Sequence, residues 1–421
     1  MSIIKSPTLI LGVVPPHPID QSIRFNDDDS PYMSRTPSGA SNRKTFSFSC
    51  WLKLGSGTID SGAEKAFFSA RDGSSDYYSI LSFNGDQSGA SQLEFVNRNG
   101  GSYAGYVYTT QLFRDPSAWY HIVLNVDTTD ATSSERIKLY VNGLRVTDVT
   151  YSAPSLNLDM NMNNNIATAI GARPTNNFHF DGYLAEIHFL DGYAYDPSYF
   201  GLFNDSGIWI PKKYSGSYGT NGFHIKGESA SDLGNDSSGN NNDFTTSGLA
   251  AHDQVLDTPS NNFAVANPIH ADSLIGSGTY AEGNLQVNYG SSIGGLASIA
   301  VSSGKWYAEW EIHSGSPNYF VLGIYGEEPL LNTSYAGKFA NSYAYYAQDG
   351  NYYNNNVSNS YGNSYTVSDV IGIALDLDNN KLYFSKNGTF QNSGDPTSGS
   401  TGTGAISIAS ASSVPLGQYF I

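Results

Sequence analysis

Two glutamates and a histidine alternate along one stretch in the second half of the chain, at Glu309, Glu311 and His313. On a β-strand, side chains two residues apart point to the same face and follow one another at ~7 Å. Two carboxyl groups ~5.5 Å apart act as nucleophile and general acid in retaining glycoside hydrolysis. Glu309 and Glu311 are therefore the catalytic candidates of this chain. We favour the simpler interpretation, in which these side chains form a solvated strand face and the protein is not an enzyme.

A second cluster, in the first half of the chain, has residue types that bind metals. Glu186 and His188 are two residues apart and could reach one ion, with Asp191 close by in the sequence. The sequence offers no matching histidine pair or Cys-x-x-Cys motif to complete a ligand set. We therefore predict that these residues are structural and that they bind no metal.

Two acidic turns, at 26–29 and 71–76, carry the hard oxygen ligands that Ca²⁺ prefers. The calcium candidates in these turns are Asp27, Asp28, Asp29, Asp72 and Asp76. Acidic turns are more often simply solvated, so we predict no cofactor and keep Ca²⁺ as the alternative.

The strongest binding signal is a stretch rich in tyrosine and asparagine between 342 and 365. Tyrosine supplies rigid amphipathic rings and asparagine supplies adaptable hydrogen bonds, a mixture typical of recognition loops. Such rings can stack on the apolar faces of sugars while the amides bond sugar hydroxyls. The predicted ligand-binding residues are Tyr343, Tyr345, Tyr346, Asn351, Tyr352, Tyr353 and Asn354. The alternative is a pair of exposed strands whose tyrosines lie on the rim and bind nothing.

Composition and charge exclude several classes of function. The formal net charge is −17, and residues 215–421 contain only five Lys and Arg. Direct nucleic-acid binding is not expected, because its affinity comes largely from neutralising phosphates. The single cysteine, Cys50, lies in an apolar stretch and is predicted to be buried, without a disulfide or a thiolate metal cluster. No stretch approaches the ~20 apolar residues of a membrane span, so no membrane insertion is predicted.

The elements that position these residues are predicted to be β-strands. Two alternating stretches run into Asn142-Gly143 and Asn387-Gly388, a strong hairpin signal because Asn-Gly accepts the positive φ of a type I′ turn. No segment keeps a helical apolar period for three turns. Alternation within 182–189 places Tyr183, Ala185, Ile187 and Phe189 on one face and Glu186 and His188 on the other.

The first predicted domain spans 23–203. Its motifs include Phe46-Ser-Phe-Ser-Cys-Trp-Leu-Lys, Trp119-Tyr-His-Ile-Val-Leu and Ile137-Lys-Leu-Tyr-Val-Asn-Gly. With these motifs the domain resembles the laminin-G-like, concanavalin A-like family, which implies an antiparallel β-sandwich. Some members of that family hold one Ca²⁺ in rim loops, which permits the calcium alternative without mapping it.

Retaining glucanases of the same fold carry Glu, Asp and Glu at positions comparable to 309, 311 and 313, where this chain has His at the third.

The second predicted domain spans 263–421. Its markers are Gly304-Lys-Trp-Tyr-Ala-Glu-Trp-Glu-Ile, Tyr365-Thr-Val-Ser-Asp-Val-Ile-Gly-Ile-Ala-Leu-Asp-Leu-Asp and Lys381-Leu-Tyr-Phe-Ser-Lys-Asn-Gly. They resemble the SPRY family, another concanavalin A-like sandwich. Such domains normally finish with a further strand, which this domain is predicted to lack.

The predicted fold class is therefore all-β, with two tandem concanavalin A-like antiparallel β-sandwiches (jelly rolls). An irregular connector at 204–262 joins them, and residues 1–22 form an extended N-terminal arm.

Two further segments resemble bacteriophage virion proteins of the tail or fibre type. They are Asp191-Gly-Tyr-Ala-Tyr-Asp-Pro-Ser-Tyr-Phe-Gly and Leu233-Gly-Asn-Asp-Ser-Ser-Gly-Asn-Asn-Asn-Asp-Phe. The resemblance implies a non-enzymatic protein of the virion surface, made in the host cytoplasm, that binds host-surface glycan or protein through its sandwiches. Its expected partners are other virion subunits and copies of itself. The alternatives are a purely structural decoration or adaptor subunit and a glycan depolymerase.

Overall fold

The computed structural model describes residues 2–5, 17–59, 62–74, 76–85, 89–174, 177–268, 278–289, 295–316, 320–327 and 335–421. Residues 6–16, half of the predicted N-terminal arm, lie outside these ranges. None of the described segments forms a helix long and apolar enough to cross a membrane.

The regular structure is dominated by short β-strands. In the first part of the chain these are β1 (Ser2–Lys5), β2 (Ser22–Phe25), β3 (Tyr32–Arg35), β4 (Thr45–Leu54), β5 (Lys65–Arg71), β6 (Tyr78–Phe83), β7 (Gln92–Asn99), β8 (Ser102–Leu112), β9 (Trp119–Asp127), β10 (Ile137–Val141), β11 (Leu144–Arg145), β12 (Val149–Ser152), β13 (Ala167–Ile170), β14 (Gly182–Asp191), β15 (Gly201–Phe203), β16 (Trp209–Pro211), β17 (Phe223–Ile225), β18 (Thr245–Ser247) and β19 (Gln254–Val255). In the remainder they are β20 (Gly278–Ala281), β21 (Gln286–Tyr289), β22 (Ala300–Val301), β23 (Lys305–Glu311), β24 (Val321–Tyr325), β25 (Ser342–Tyr346), β26 (Tyr352–Asn354), β27 (Val357–Asn359), β28 (Val370–Asp376), β29 (Lys381–Lys386), β30 (Thr389–Phe390), β31 (Ile406–Ser407) and β32 (Tyr419–Phe420). Short 3₁₀ turns occur at Asp27–Asp29, Ser133–Glu135, Pro197–Tyr199, Ala251–Asp253, Gln391–Ser393, Gly399–Thr401 and Ala411–Ser413.

The chain divides into two compact units. The first contains residues 13–262 and 281–283, and the second contains 1–12, 263–280 and 284–421. Each is built from antiparallel sheets, so the predicted all-β fold of tandem sandwiches is confirmed.

The first unit has two eight-stranded sheets. One has the order β11-β10-β9-β4-β14-β2-β19, with β17 also paired to β14, and the other has the order β12-β8-β7-β6-β5-β13-β3-β18. Between them lies an apolar core rich in phenylalanine, including a stacked pair, Phe48 and Phe68, with ring centroids 4.3 Å apart. The stretch 204–262, predicted to be a connector, supplies β17, β18 and β19 to these sheets.

The second unit also has two six-stranded sheets, and β20 pairs with β21 in a separate two-stranded sheet. One has the order β1-β23-β28-β29-β30, with β31 paired to β29, so the start of the chain forms its edge beside β23. The other has the order β22-β32-β24-β25-β26-β27. Residues Tyr419–Phe420 form a strand between β22 and β24.

The two Asn-Gly hairpin predictions are confirmed. Asn142 and Gly143 have φ of 48° and 81° between β10 and β11, and Asn387 and Gly388 have φ of 49° and 77° between β29 and β30. Positive φ at both central residues is what a type I′ turn requires. The prediction that Cys50 is buried is also confirmed, and burial raises the pKa of its thiol.

The predicted faces of β14 are wrong at one point, because the strand contains a bulge. Its register with β4 shifts between Ala185 and His188, where β14 has one residue more than its partner. Leu184 and Ile187 therefore point into the core between the sheets, whereas Ala185 joins a cluster on the opposite face. Strict alternation had placed Ala185 and Ile187 on the same side.

A buried ion pair fastens residues 257–262 to the first unit. The ammonium group of Lys53, a side chain with no exposed surface, donates to Asp257 Oδ2 at 2.7 Å and to Asn262 Oδ1 at 2.9 Å. The indole of Trp119 donates to Asp257 Oδ1 at 3.0 Å. Burial lowers the pKa of Lys53, while Asp257 acts in the opposite direction.

We expect Asp257→Ala to destabilise the protein by ~3–5 kcal/mol, because it leaves the Lys53 charge buried without its carboxylate. Urea unfolding followed by tryptophan fluorescence measures the change. The exposed Asp205→Ala is the control and should change the free energy of unfolding by less than ~0.5 kcal/mol. Equal effects of the two substitutions would contradict the role given to Asp257.

Candidate functional site

The stretch rich in tyrosine and asparagine forms a meander at one edge of the second unit. Its strands β25, β26 and β27 pair in sequence, and β27 is the edge strand. The turn between β26 and β27 has Asn355 and Asn356 at φ of 51° and 59°, again the type I′ pattern. Asparagine tolerates this left-handed conformation better than most residues.

Two of the seven predicted ligand-binding residues are core residues. Tyr343 is 6% exposed and Tyr345 has no exposed surface. Tyr345 stacks on Phe384 with ring centroids 5.3 Å apart, and its hydroxyl bonds the backbone carbonyl of Asn363. Their prediction as ligand contacts is wrong, because both side chains belong to the buried core of the unit.

Tyr346 and Tyr353 lie on the opposite, outward face. They are half-buried, and their rings meet edge to face at 5.7 Å between centroids. The Tyr346 hydroxyl donates to Gln348 and the Tyr353 hydroxyl donates to Asp349, each at 2.8 Å. We call Tyr346, Gln348, Asp349, Asn351, Tyr353 and Ser358 the tyrosine surface.

The other predicted residues of this stretch have different roles. Asn351 donates to Asp349 at 3.1 Å and to Ser358 at 2.9 Å, so its amide orients polar groups of the tyrosine surface. Tyr352 packs against the core of the unit. Asn354 donates to the carbonyl oxygens of Ala340 and Ser342 and holds the preceding loop.

The catalytic candidates lie on an open strand. Glu309, Glu311 and His313 are all exposed, whereas Trp310 and Ile312 between them pack on the core, so the predicted sharing of one face is confirmed. Glu309 accepts a hydrogen bond of 2.7 Å from the Tyr307 hydroxyl. This is the arrangement of a solvated strand face.

The calcium candidates do not converge within the described ranges. Asp27 is bound by the Lys65 ammonium group, and Asp29 accepts from Asn26 at 2.9 Å. In the other turn, Asp72 accepts from the backbone and hydroxyl of Ser74 at 2.8 and 2.7 Å. The remaining candidates, Asp28 and Asp76, are exposed. The single cluster of metal-binding side chains found among the described residues does not include any of these aspartates.

That cluster contains Glu186 and His188 together with His224, a histidine that we did not predict, and the Glu186 carboxylate also contacts His17. Glu186 Oε2 lies 3.2 Å from His17 Nε2, 3.4 Å from His188 Nε2 and 3.0 Å from His224 Nε2. Burial opposes ionisation of Glu186, but the three imidazoles outweigh it and hold its pKa well below the usual range. Burial lowers the pKa of His188 to about 4, so its imidazole is neutral at pH 7.

Asp191, predicted to share this cluster, lies in a different network. Its carboxylate accepts hydrogen bonds from the backbone of Asn42 at 3.1 Å and of Asn221 at 2.9 Å, and from the Asn163 amide. Asp191 therefore does not contact the carboxylate and imidazole of Glu186 and His188, although it is close to them in the sequence. His17 and His224 were missed because they are 169 and 38 residues away from Glu186, in segments that carry no metal-binding motif.

Asp181 is a buried acid close enough to the first acidic turn for Asp27 to influence its pKa. It accepts from the Gly57 backbone at 2.6 Å, and its Oδ1 has no hydrogen-bond partner among the described residues. Burial, with Asp27 as the next cause, raises its pKa to about 7. The folded protein therefore keeps a proton on Asp181 at pH values at which the unfolded chain has lost it.

We expect Asp181→Asn to remove a pH dependence of stability. Between about pH 4 and 7 the folded state binds more protons at this site than the unfolded state, so wild-type stability falls with rising pH. From pH 4 to 7, the free energy of unfolding of Asp181→Asn should therefore increase relative to that of the wild type, by at most ~4 kcal/mol. Urea unfolding at several pH values measures it. A difference that is constant from pH 4 to 8, as expected for the exposed Asp205→Asn, would contradict this account.

Comparison with known protein families gives two matches. Residues 27–194 match the concanavalin A-like lectin/glucanases superfamily, and residues 305–406 match the SPRY domain. No curated protein matches the chain.

Several solved structures are similar at low identity. A putative carbohydrate binding protein from Bacteroides ovatus has 16% identity and a TM-score of 0.35, with 58% of this chain and 62% of that chain covered. The heptameric SAP-like pentraxin of Limulus polyphemus has 15% identity and a TM-score of 0.30, with 42% and 78% covered. Domains LG4-5 of the mouse laminin alpha1 chain have 9% identity and a TM-score of 0.33, with 97% and 84% covered. The chain is thus similar to a concanavalin A-like domain of the laminin G type over 27–194 and to a SPRY domain over 305–406.

Proposed function

We propose that this chain is a non-enzymatic protein of a phage virion surface that binds a host-surface glycan. The observation that carries the glycan-binding part is the tyrosine surface. It combines two outward-facing aromatic rings with a carboxylate, two amides and a hydroxyl on the open face of a sheet.

The chemistry of the tyrosine surface fits a sugar. A pyranose ring has an apolar face that packs on an aromatic ring, and hydroxyls around its rim that need hydrogen-bond partners. Tyr346 and Tyr353 supply the rings, and Asp349 is already held by Asn351 and Tyr353 at 3.1 and 2.8 Å. Side chains held in this way lose little conformational entropy when a ligand binds.

The family matches support this proposal at a coarser level. The first domain matches a superfamily whose description includes lectins, and the second matches a SPRY domain. The virion part rests on the sequence resemblance of 191–201 and 233–244 to phage proteins. Other virion subunits and further copies of this chain are its proposed partners, and the virion surface is its proposed location.

A depolymerase is the weaker candidate. Glycosidases protonate a leaving group with a carboxylic acid whose pKa is raised by its surroundings. Glu309 and Glu311 are exposed on a strand face, where such an environment is missing.

We expect Tyr353→Ala to lower glycan affinity roughly tenfold, because it removes one of the two stacking rings. Tyr346→Ala should have a similar effect, and Tyr353→Phe, which keeps the ring, a smaller one. The measurement is a glycan array with the full chain, followed by calorimetry on the best glycan. Tyr77→Ala removes a tyrosine that is 44% exposed in the first unit and is the matched control. If glycan binding survives both alanine substitutions, the binding site lies elsewhere on the chain. If the wild-type chain binds no glycan, the glycan-binding proposal is wrong and the structural alternative is favoured.

We expect no polysaccharide cleavage by the wild-type chain, and no change in Glu309→Gln or Glu311→Gln. Reducing-end release from host capsular or surface polysaccharide measures this. Cleavage by wild type that either substitution abolishes would overturn the non-enzymatic assignment.

A further inference from the structure

The histidine cluster of the first unit is built around a strained residue. Glu186 sits at the bulge of β14 with φ of 48°, in the left-handed region that only glycine adopts freely. Such a conformation costs ~1–3 kcal/mol and persists only where the surroundings enforce it. The bulge has a visible result, because it places Glu186 on the same side of the sheet as Ala185, away from the core between the sheets.

Three histidines from separate segments point at one oxygen of this carboxylate. His17 comes from the segment before β2, His188 from β14 and His224 from β17. The distances from their Nε2 atoms to Glu186 Oε2 are 3.2, 3.4 and 3.0 Å. Two of these contacts, from His17 and His224, are hydrogen bonds, and with the His188 contact three imidazoles crowd one oxygen that has about two lone-pair sites.

The distances from Glu186 Oε2 to the three imidazole nitrogens are close to those between neighbouring ligands of one metal ion. Zinc binds imidazole nitrogen and carboxylate oxygen at ~2.0–2.2 Å in a tetrahedron, whose edges are then ~3.3–3.6 Å. The three nitrogen–oxygen distances lie close to this edge length. The ligand atoms of Glu186, His188 and His224 all lie within 4.8 Å of one another, and these three residues are buried.

Further contacts orient two of the imidazoles. The rings of His188 and His224 stack with centroids 4.0 Å apart, which directs both Nε2 atoms to the same side. Nδ1 of His188 lies 2.9 Å from the Tyr218 hydroxyl. Metal-bound histidines commonly make such a bond with the nitrogen that is not bound to the metal, because it fixes the ring orientation.

His121, in the same crevice, shows what a histidine with a structural role looks like here. Its Nδ1 accepts from the Trp209 indole at 3.0 Å, and its Nε2 therefore donates to the Ser49 hydroxyl at 2.9 Å. Both ring nitrogens are used by single, well-matched partners. His121 is for this reason outside the proposed ligand set.

We propose that His17, Glu186, His188 and His224 form a zinc-binding site. Four protein ligands make a closed, tetrahedral site, which is the structural type. The ion connects the segment at His17 and strand β17 to β14, and so links two segments that are distant in the sequence to one strand of the first unit. This inference is independent of the proposed glycan binding, which uses the second unit.

The test uses the full chain, stripped with a chelator and dialysed against zinc. We expect about one zinc per chain by mass spectrometry and a melting temperature that rises by roughly 5–10 °C with zinc and is unchanged with magnesium. Glu186→Gln and His224→Gln should lose both effects. His252→Ala, whose imidazole is 70% exposed, is the matched control and should keep both.

Zinc content and melting shifts that are the same in wild type, Glu186→Gln and His224→Gln would overturn the proposal, as would a wild-type chain that takes up no zinc. If either substitution prevents folding, the visible absorption spectrum of the wild-type chain loaded with Co²⁺ tests the site instead. Intense visible absorption, typical of a tetrahedral ion, supports the site, and the weak absorption of an octahedral ion refutes it.

Discussion

The first unit depends on one constraint: the sheet that contains β4, β9 and β14 is buried on both faces. One face packs on the phenylalanine-rich core, and β14 has no exposed residue along its length. The other face is covered by aromatic residues of the chain itself, including Trp209, Phe200 and Tyr214. The outer face of a sandwich is usually solvated and can carry polar residues freely. Here a polar side chain on it loses its contact with water and is stabilised by a partner inside the protein.

That constraint explains why the polar groups on this face are arranged in pairs and clusters. Lys53 lies against Asp257, His121 between Ser49 and Trp209, and Glu186 among three imidazoles. Each group comes from a strand of the sheet, and its partner often comes from the segments that cover it. The stretch 204–262 therefore does more than lead to the second unit. It completes the first, both by adding strands and by neutralising buried charge.

Much of the fold could be predicted from the sequence, because strand alternation and Asn-Gly turns are local signals. The turns at Asn142 and Asn387 need only two residues to specify their positive φ. The bulge in β14 has no such signal, since Glu186 is not a residue that favours positive φ. One extra residue there reversed the predicted faces of Tyr183 and Ala185. The prediction of ligand contacts in the tyrosine stretch was partly wrong for a related reason. Tyr345 and Tyr346 are adjacent, and alternation alone cannot say which of them faces the core.

The two candidate sites differ in how their residues are brought together, and this decides which of them the sequence could reveal. The tyrosine surface comes from one meander, so its residues lie within 346–358 and a compositional signal is enough to find it. The histidine cluster depends on the pairing of β14 with β17 and on the position of the segment before β2, which only the folded chain brings together. A site of the first kind can change with its loop while the sandwich stays the same, which suits recognition of variable ligands. A site of the second kind cannot change without the fold, since the same residues that hold it also close the sheet, and this suits a structural ion.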